Sequence, residues 1–242
     1  TDPYDPTPLG QDITSYYTSM IYGGIGFAVL EDRKFKSGCA RAEMPPSGTA
    51  RPDHFNDPNF DVSSLDIPGV KLLGDKQLEF LHTFAQDWSG HEMKIALSQT
   101  IFANMATHHG GGLSRLRCDL DSNGWPQAGR NRAVDALRRG FMFHLAGDQH
   151  LATLVHHGIA EHGDAMWSMC VPSVANFYPR AWAPRCDTPY ENPQPQDYLG
   201  EFRDGFGHPV TVYAATNPGP DMGQANKDLH DKMPGYGIVR MN

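Results

Sequence analysis

The spacing of apolar and polar positions predicts alternating helices and strands in the middle of the chain. Residues 75–88 carry apolar side chains at helical spacing, with Asp75 placed to cap the first turn. A buried strand is predicted at residues 93–97, a helix at 132–139 and a second buried strand at 141–146. Helices and strands that alternate in this way are typical of an α/β sheet.

The two ends of the chain follow a different pattern. Residues 22–30 predict a strand, and the polar stretch 34–67 that follows is long enough to be a functional loop such as a lid. Pro-rich residues 183–196 predict a surface loop within the same domain. Strands without helices between them, which indicate a more antiparallel layer, are predicted at residues 151–155, 165–171, 210–215 and 237–241.

A polar tetrapeptide, Gly147-Asp148-Gln149-His150, follows the predicted strand 141–146. Ligands of open α/β sheets bind beyond the carboxyl ends of the strands, where an Asp and a His two positions apart can reach one metal cluster. The glycine permits a sharp turn there. On the tetrapeptide alone the simpler interpretation is favoured, in which Asp148 caps the next segment and His150 is an ordinary loop histidine.

A second polar cluster, Asp119-Leu-Asp121-Ser-Asn123-Gly, precedes the predicted helix of this unit. It begins like the loop of a calcium-binding EF-hand, but the twelfth position, where a bidentate Glu is needed, is Arg130, and no helix pattern precedes Asp119. Two interpretations remain. The oxygen donors could hold a hard cation, or the cluster is an Asx-rich turn that caps the helix beginning near residues 126–129.

Four segments in chain order carry a family resemblance. They contain Glu31-Asp-Arg33-Lys-Phe-Lys36, Leu73-Gly-Asp-Lys-Gln77, Asp121-Ser-Asn-Gly-Trp125-Pro…Arg130 and Gly147-Asp-Gln-His150. These are similar to the Asp-x-Arg-x-x-Arg, Leu-Gly-x-x-Gln, Asp-Ser-Trp-Asp-Gly-Tyr-Pro…Arg and Gly-Asp-x-His elements of the alkaline phosphatase D (PhoD-like) family, a branch of the calcineurin-like metallophosphoesterases. Glu31 replaces the family's Asp, Lys36 its second Arg and Trp125 its usual Tyr, and the family's Trp is missing.

The resemblance implies two stacked sheets flanked by helices and a secreted or periplasmic metal-dependent hydrolase of phosphate mono- or diesters. It implies iron with calcium, although Asp, His and Asn donors also suit manganese or zinc. The candidate metal ligands are Asp148, His150 and Asp121. Candidate catalytic residues are His150 and Arg130, and the residues expected to contact a small phosphate ester are Arg130, Asn123, Trp125 and His109. Arg130 is chosen because a guanidinium fork binds phosphate oxygens bidentately.

The resemblance covers the C-terminal half of the family domain. Family members place an early Asp or Cys, a Gly-Asp-x-x-Asp or Asp-x-x-Tyr element and an Asn or Asn-His element upstream, and none is recognised before residue 30. We therefore expect residues 1–242 to be the C-terminal portion of one PhoD-like domain, with the N-terminal half and any export signal lying upstream. The alternative is a non-catalytic ligand-binding protein, or an incomplete enzyme fragment, on the same scaffold.

Other charged and titratable residues admit two interpretations. His109 follows His108 near the end of a predicted strand, where it could meet substrate, but a hydrogen-bonded loop histidine is slightly favoured. One of His156 and His157 should face away from any site, because side chains alternate along a strand. Arg33 is a second candidate phosphate clamp, although an ion pair with a neighbour such as Glu31 or Asp32 is the stronger interpretation.

Composition limits the function classes. The 242 residues include 20 Lys plus Arg against 28 Asp plus Glu, a net charge of -8 that argues against general nucleic-acid binding but allows a local basic pocket. No apolar run is long enough to span a membrane. The four cysteines lack Cys-x-x-Cys spacing, so they predict either two disulfides in an exported protein or buried thiols. Oligomeric state does not follow from the sequence.

Overall fold

A computed structural model describes residues 2–41, 43–187, 194–219 and 231–241. The strands are β1 Thr18–Tyr22, β2 Ile25–Val29, β3 His54–Phe55, β4 Met93–Thr100, β5 His108–His109, β6 Ser114–Arg115, β7 Cys118–Asp119, β8 Phe143–Gly147, β9 Ala152–His157, β10 Trp167–Cys170, β11 Arg180–Ala181, β12 Gly200–Arg203 and β13 Pro209–Thr216. The α-helices are α1 Asp75–Gln86, α2 Gln127–Arg139 and α3 Pro195–Tyr198, with a 3-10 helix at Val62–Leu65. The protein is a mixed α/β structure, as the sequence predicts.

One eight-stranded mixed sheet organises the fold, in the order β1-β2-β4-β8-β10-β9-β13-β12. Strands β2, β4, β8 and β10 are parallel neighbours. The antiparallel strands predicted near the C-terminus extend this same sheet, since β9 pairs with β10 and β13, and β13 with β12. Small sheets are formed by β11-β5-β6 and β3-β7. The carboxyl ends of β2, β4 and β8 consequently lie side by side.

Two amphipathic helices account for much of the core. Helix α1 begins one residue after Gly74, so Asp75 lies in its first turn, and it buries Leu78, Leu81 and Phe84. Helix α2 begins after Pro126 and ends just before Gly140, with two arginines in its last turn where cations suit the helix dipole. Both helices contribute to one apolar cluster with β2 and β4. The helices predicted from residues 75 and 132 are confirmed.

Other predicted elements are altered by the tertiary structure. Gly23 and Gly24, with φ of 59° and 77°, turn the chain between β1 and β2, so the strand predicted at residues 22–30 becomes the second half of a hairpin. The strand predicted at residues 237–241 is wrong, because that segment is irregular. Within the predicted loop 183–196, residues 188–193 lie outside the described residues.

The polar stretch 34–67 is anchored rather than loosely attached. Its Phe55 and Leu65 are buried in an apolar cluster that also contains Cys118 and Trp125. Strand β3 from this stretch pairs with β7, and His54 lies opposite Asp119. The loop therefore brings its own polar residues to the cluster that precedes α2.

The four cysteines form no disulfide bonds. Cys39, Cys118, Cys170 and Cys186 are thiols rather than disulfides, and the predicted alternative of buried thiols holds for Cys118 and Cys170, whereas Cys39 and Cys186 are partly exposed. Among the residues that the structure describes, no helix has the length and apolar character needed to cross a bilayer.

Candidate functional site

Three polar side chains meet where parallel strands of the main sheet end. Asp32 follows β2, Thr100 is the last residue of β4, and Asp148 follows β8. Thr100 joins the other two: its backbone N–H donates to Asp32 Oδ2 at 2.9 Å, and its hydroxyl donates to Asp148 Oδ2 at 2.9 Å. The carboxyl edge of the sheet is where ligands of α/β folds bind, and here it presents two carboxylates held by one residue.

Asp32 is a buried carboxylate with incomplete hydrogen bonding. Burial raises its pKa, against the effect of hydrogen bonds from the Thr100 backbone and the Asn123 amide. Asn123 Nδ2 donates both to Asp32 Oδ2 and, at 3.1 Å, to the Thr100 carbonyl. Asp32 Oδ1 and Asn123 Oδ1 are buried without a hydrogen-bond partner in the described chain. Buried oxygens are rarely left so, and oxygen atoms of this kind are the ligands that a hard cation prefers.

Arg33 bridges the two predicted carboxylate ligands. Its guanidinium donates to Asp121 Oδ1 at 2.9 Å and Oδ2 at 3.1 Å, and to Asp148 Oδ2 at 3.3 Å. The ion pair predicted for Arg33 exists, but its partners are Asp121 and Asp148 rather than Glu31 or Asp32. Glu31 instead accepts the Arg33 backbone N–H at 2.9 Å. The segments after β2, before α2 and after β8 are joined through this one side chain.

Lys36 is a second cationic side chain in this region and lines the same surface cleft as Arg33. Its ammonium donates to the carbonyls of Asp121 at 2.8 Å and Ser122 at 2.7 Å. Burial lowers the pKa of Lys36 to about 8, although the nearby Asp121 carboxylate acts in the opposite direction. Arg33 and Lys36 line a cleft of about 370 Å³ that is also lined by Asp53 and Asp121. The cleft thus has two cationic and two anionic side chains.

Asp53, His54 and Asp119 form a second cluster next to this cleft. Each can offer a metal ligand atom, and the three atoms lie within 4.8 Å of one another. His54 Nε2 is 3.6 Å from Asp53 Oδ2 and 3.6 Å from Asp119 Oδ2, and it has no hydrogen-bond partner among the described residues. Two ligand atoms on one tetrahedral metal, each at about 2.0–2.1 Å, are roughly 3.3 Å apart. The spacing is therefore near that of a coordinated pair.

Both carboxylates of this second cluster also contact arginines. Arg180 Nη2 donates to Asp119 Oδ2 at 2.8 Å, and Arg51 Nη2 donates to Asp53 Oδ2 at 2.6 Å. Asp119 is fully buried, which raises its pKa, but His54 and Arg180 have the larger opposite effect. The net result lowers the pKa of Asp119 to about 2, so its carboxyl group is ionised. A carboxylate accepts about four hydrogen bonds or ligands, so arginine contacts leave lone pairs for a cation while fixing the carboxylate's orientation.

The sequence did not single out His54. It lies in the polar stretch 34–67, and only the pairing of β3 with β7 brings it opposite Asp119. The adjacent Asp53-His54 pair was the available signal. It was weak, because an acidic residue next to a histidine is common in polar loops.

The structure brings some of the predicted site residues together and separates others. Asp121 and Asp148 share Arg33, whereas His150 Nδ1 contacts the Tyr178 carbonyl at 2.9 Å. His109 Nδ1 contacts the hydroxyl of the same tyrosine at 2.8 Å. Among the described residues, the closely spaced ligand group is that of Asp53, His54 and Asp119, without Asp121, Asp148 or His150.

Arg130 and Trp125 lie inside the protein. Neither side chain is exposed to solvent, and Asn123 is equally buried. Trp125 Nε1 donates to the Leu65 carbonyl at 2.8 Å and so fixes the loop core. Arg130 donates to two backbone carbonyls, to Asn131 and to His157. In this arrangement the substrate contacts predicted for Arg130 and Trp125 would require both side chains to become accessible.

Comparisons with known proteins show a likeness to solved structures and none to a family model or a curated protein. No protein-family model matches the chain, and no curated protein matches it. Among solved structures, the chain is similar to one described as "Structure of PhoD", with 21% sequence identity and a TM-score of 0.46 over 70% of this chain and 32% of that chain. The chain therefore spans about a third of the length of that structure.

Proposed function

We propose that this protein is a metal-dependent hydrolase of phosphate mono- or diesters. The observation that carries the proposal is a single cleft lined by Arg33 and Lys36 and by Asp53, one of the three clustered metal-ligand candidates. Cationic side chains beside a cation site suit a phosphate ester, whose oxygens can contact both. A bound metal would polarise the phosphoryl oxygen and supply a hydroxide at neutral pH.

The residues fit two kinds of cation. Asp53, His54 and Asp119 combine imidazole with carboxylate, which suits iron, manganese or zinc. Asp32, Asn123 and Asp148 offer oxygen only, which suits calcium or magnesium. The orphaned buried atoms His54 Nε2, Asp32 Oδ1 and Asn123 Oδ1 support both assignments. The proposal also keeps Asp121, Asp148 and His150 as metal ligands. Asp121 and Asp148 would become free to bind metal if Arg33 turned from them toward substrate.

The chain's own groups would bind and orient the ester. Arg33, which pairs with Asp121 and Asp148 in this structure, would turn from them to contact phosphate oxygens, and Lys36 would add a second positive charge. His150 contacts the Tyr178 carbonyl through Nδ1, which leaves Nε2 for one of its two predicted roles, metal ligand or general acid for the leaving group. His109, on the same tyrosine, would line the substrate side. The substrate would be a small ester, and proposed export of the protein rests on the family resemblance of the sequence.

The alternative is a non-catalytic ligand-binding protein, or a fragment that lacks part of its site. The observation that favours it is Arg33, whose guanidinium already pairs with both Asp121 and Asp148 without a metal ion. In that case the cleft would bind an anion and would not turn it over.

The test combines elemental analysis with hydrolysis of a generic aryl phosphate monoester and diester. It uses the full-length protein and its His54→Ala, Asp148→Ala and His150→Ala variants. The exposed His82 on α1 supplies the control, His82→Ala. We expect bound metal in the wild type and the control, with metal and turnover both reduced in the site variants. Folded, metal-free and inert wild-type protein would support the binding-protein alternative instead.

A further inference from the structure

Five side chains, four of them buried and Ser98 partly buried, form a continuous hydrogen-bonded series across the sheet. Arg130 Nη2 contacts His157 Nδ1 at 3.2 Å, and His157 Nε2 contacts Ser168 Oγ at 2.7 Å. Ser168 Oγ contacts His144 Nδ1 at 2.7 Å, and His144 Nε2 contacts Ser98 Oγ at 2.7 Å. Ser98 Oγ donates to the Thr100 carbonyl at 2.7 Å. This polar series joins α2 to the carboxyl edge of the sheet.

The series follows the order of the strands. Ser98 lies on β4, His144 on β8, Ser168 on β10 and His157 on β9, and these four strands are consecutive neighbours in the sheet. His144, Ser168, His157 and Arg130 are almost completely buried. A buried polar group is tolerated when it is fully hydrogen-bonded, and each member here has a partner on both sides.

The two ends fix the direction of every hydrogen bond. Arginine only donates, so His157 Nδ1 accepts, and the neutral ring carries its proton on Nε2 and donates it to Ser168. At the other end a carbonyl only accepts, so the Ser98 hydroxyl donates to Thr100 and must itself accept from His144 Nε2. His144 Nδ1 then accepts the proton of Ser168. Starting from either end gives the same order of protons.

The surroundings of the two histidines agree with neutral rings. Burial lowers the pKa of His144 to about 3, and burial together with the charge of Arg130 lowers the pKa of His157 well below its usual value. Arg130 itself remains charged at neutral pH, because burial lowers its pKa only to about 10. None of its four hydrogen-bond partners is a carboxylate.

We infer that Arg130, His157, Ser168, His144 and Ser98 are positioning residues, which form a one-directional hydrogen-bonded chain that fixes Thr100 and, through it, the carboxylates of the candidate site. Thr100 is the point of contact. Its N–H donates to Asp32, its hydroxyl donates to Asp148, and its carbonyl accepts from Asn123 as well as from Ser98. The expected effect of these residues on turnover rests on the proposed function, whereas the positions of the protons along the chain of hydrogen bonds do not.

The proton order is tested by long-range ¹H–¹⁵N NMR of histidine-labelled wild-type protein, with the two rings assigned through His144→Gln and His157→Gln. We expect both rings to be neutral with the proton on Nε2 between pH 6 and 8. A proton on Nδ1 of either ring, or an imidazolium, would overturn the inference. This measurement needs no activity, so it stands even if the protein does not hydrolyse phosphate esters.

The positioning role is tested with Ser98→Ala, its conservative counterpart Ser98→Thr, and Ser15→Ala as a control, since Ser15 is a buried serine outside the series. In Ser98→Ala we expect the Thr100 amide proton to exchange at least about tenfold faster with solvent. Aryl phosphate turnover should fall about 10–100-fold in kcat with little change in KM, as is usual when a group that orients a ligand is lost.

Ser98→Thr restores the hydroxyl and is expected to restore both readouts, and Ser15→Ala should leave both unchanged. Unaltered Thr100 exchange in Ser98→Ala would overturn the positioning role. If Ser98→Ala shows faster exchange but the wild type shows no turnover, the positioning role stands and the proposed hydrolase function fails.

Discussion

The hydroxyl of Thr100 donates to Asp148 Oδ2 at 2.9 Å and so connects the end of β4 to the loop after β8. Asp148 has a positive φ of 65°, a conformation that costs free energy in a non-glycine residue. Contacts from Thr100 and Arg33 hold its carboxylate in place. The Gly-Asp-Gln-His segment is thus oriented by residues that are far away in the sequence.

Replacing Thr100 with Val removes this hydrogen bond while keeping the shape of the side chain. We expect the free energy of unfolding to fall by about 1 kcal/mol, the usual net value of one hydrogen bond. Turnover of an aryl phosphate should fall about 10–100-fold, because the carboxylate loses an orienting partner. Urea unfolding and steady-state kinetics measure the two effects.

Thr153→Val is the matched control, since the Thr153 hydroxyl is buried without a hydrogen-bond partner in the described structure. It should be neutral or stabilising. Equal turnover in Thr100→Val and the wild type would contradict the role given to Thr100.

Asp32→Asn separates stability from function. The raised pKa of Asp32 shows that burial disfavours its charged form, so the neutral amide should stabilise the fold, with an increase in Tm of roughly 2–4 °C. The same change removes a charged oxygen donor, and we expect less bound calcium. Differential scanning calorimetry and calcium titration give the two values, and an unchanged calcium affinity would remove Asp32 from the proposed ligands.

Buried neutral histidines predict a loss of stability in acid. Burial lowers the pKa of His144 to about 3 from 6.5, so between these values the unfolded chain binds more protons than the folded one. The contribution of His144 to the free energy of unfolding therefore increases as pH rises from 3 to 6.5, and this contribution is lost as pH falls through the same range.

His144→Gln removes this titration. The stability advantage of the wild type over His144→Gln should shrink between pH 7 and pH 5 in urea unfolding. His82→Gln on the exposed face of α1 is the control and should follow the wild type. A difference between wild type and His144→Gln that stays constant with pH would show that His144 is not held neutral in the fold.

Thiol labelling should proceed in two stages. Burial raises the pKa of Cys118, and it raises the pKa of Cys170 to about 12, so neither thiol forms the reactive thiolate in the folded protein. Burial also raises the pKa of Cys39, but this residue is only half-buried, so we expect its accessible sulfur to react first with an aromatic disulfide reagent. Cys118 and Cys170 should react only after denaturation, followed by absorbance and mass spectrometry. Identical mass before and after reduction would confirm that no disulfide links the cysteines.

Local patterns in the sequence were sufficient to predict most of the main elements. Helix α1 and strand β4 follow from apolar spacing, because the side that packs against the core must be apolar at each turn or each second residue. The same reasoning placed Gly147-Asp148-Gln149-His150 after a buried strand. It failed at residues 237–241, where an apolar stretch alone did not specify a strand, since a strand also needs a neighbour to accept its hydrogen bonds.

Within the candidate site, the sequence identified Asp121, Asp148 and Arg33 as residues of interest but could not pair them. Arg33 is 88 residues from Asp121 and 115 from Asp148, and their contacts arise only because the tertiary fold brings the segments after β2, before α2 and after β8 together. His54 was missed for the same reason, as its partner Asp119 is supplied by strand pairing.

The sequence by itself determined the α/β class, the main helices and strands, and the acidic segments that follow strands, because these depend on periodicity and on short-range turn chemistry. Only the tertiary structure decided which charges meet and which are buried. Arg130 shows the difference: its sequence context predicts a phosphate clamp, but α2 packs its guanidinium into the core, where it donates to carbonyls and to His157. The side of a helix that faces the sheet is fixed by packing, and packing joins residues that no local pattern relates.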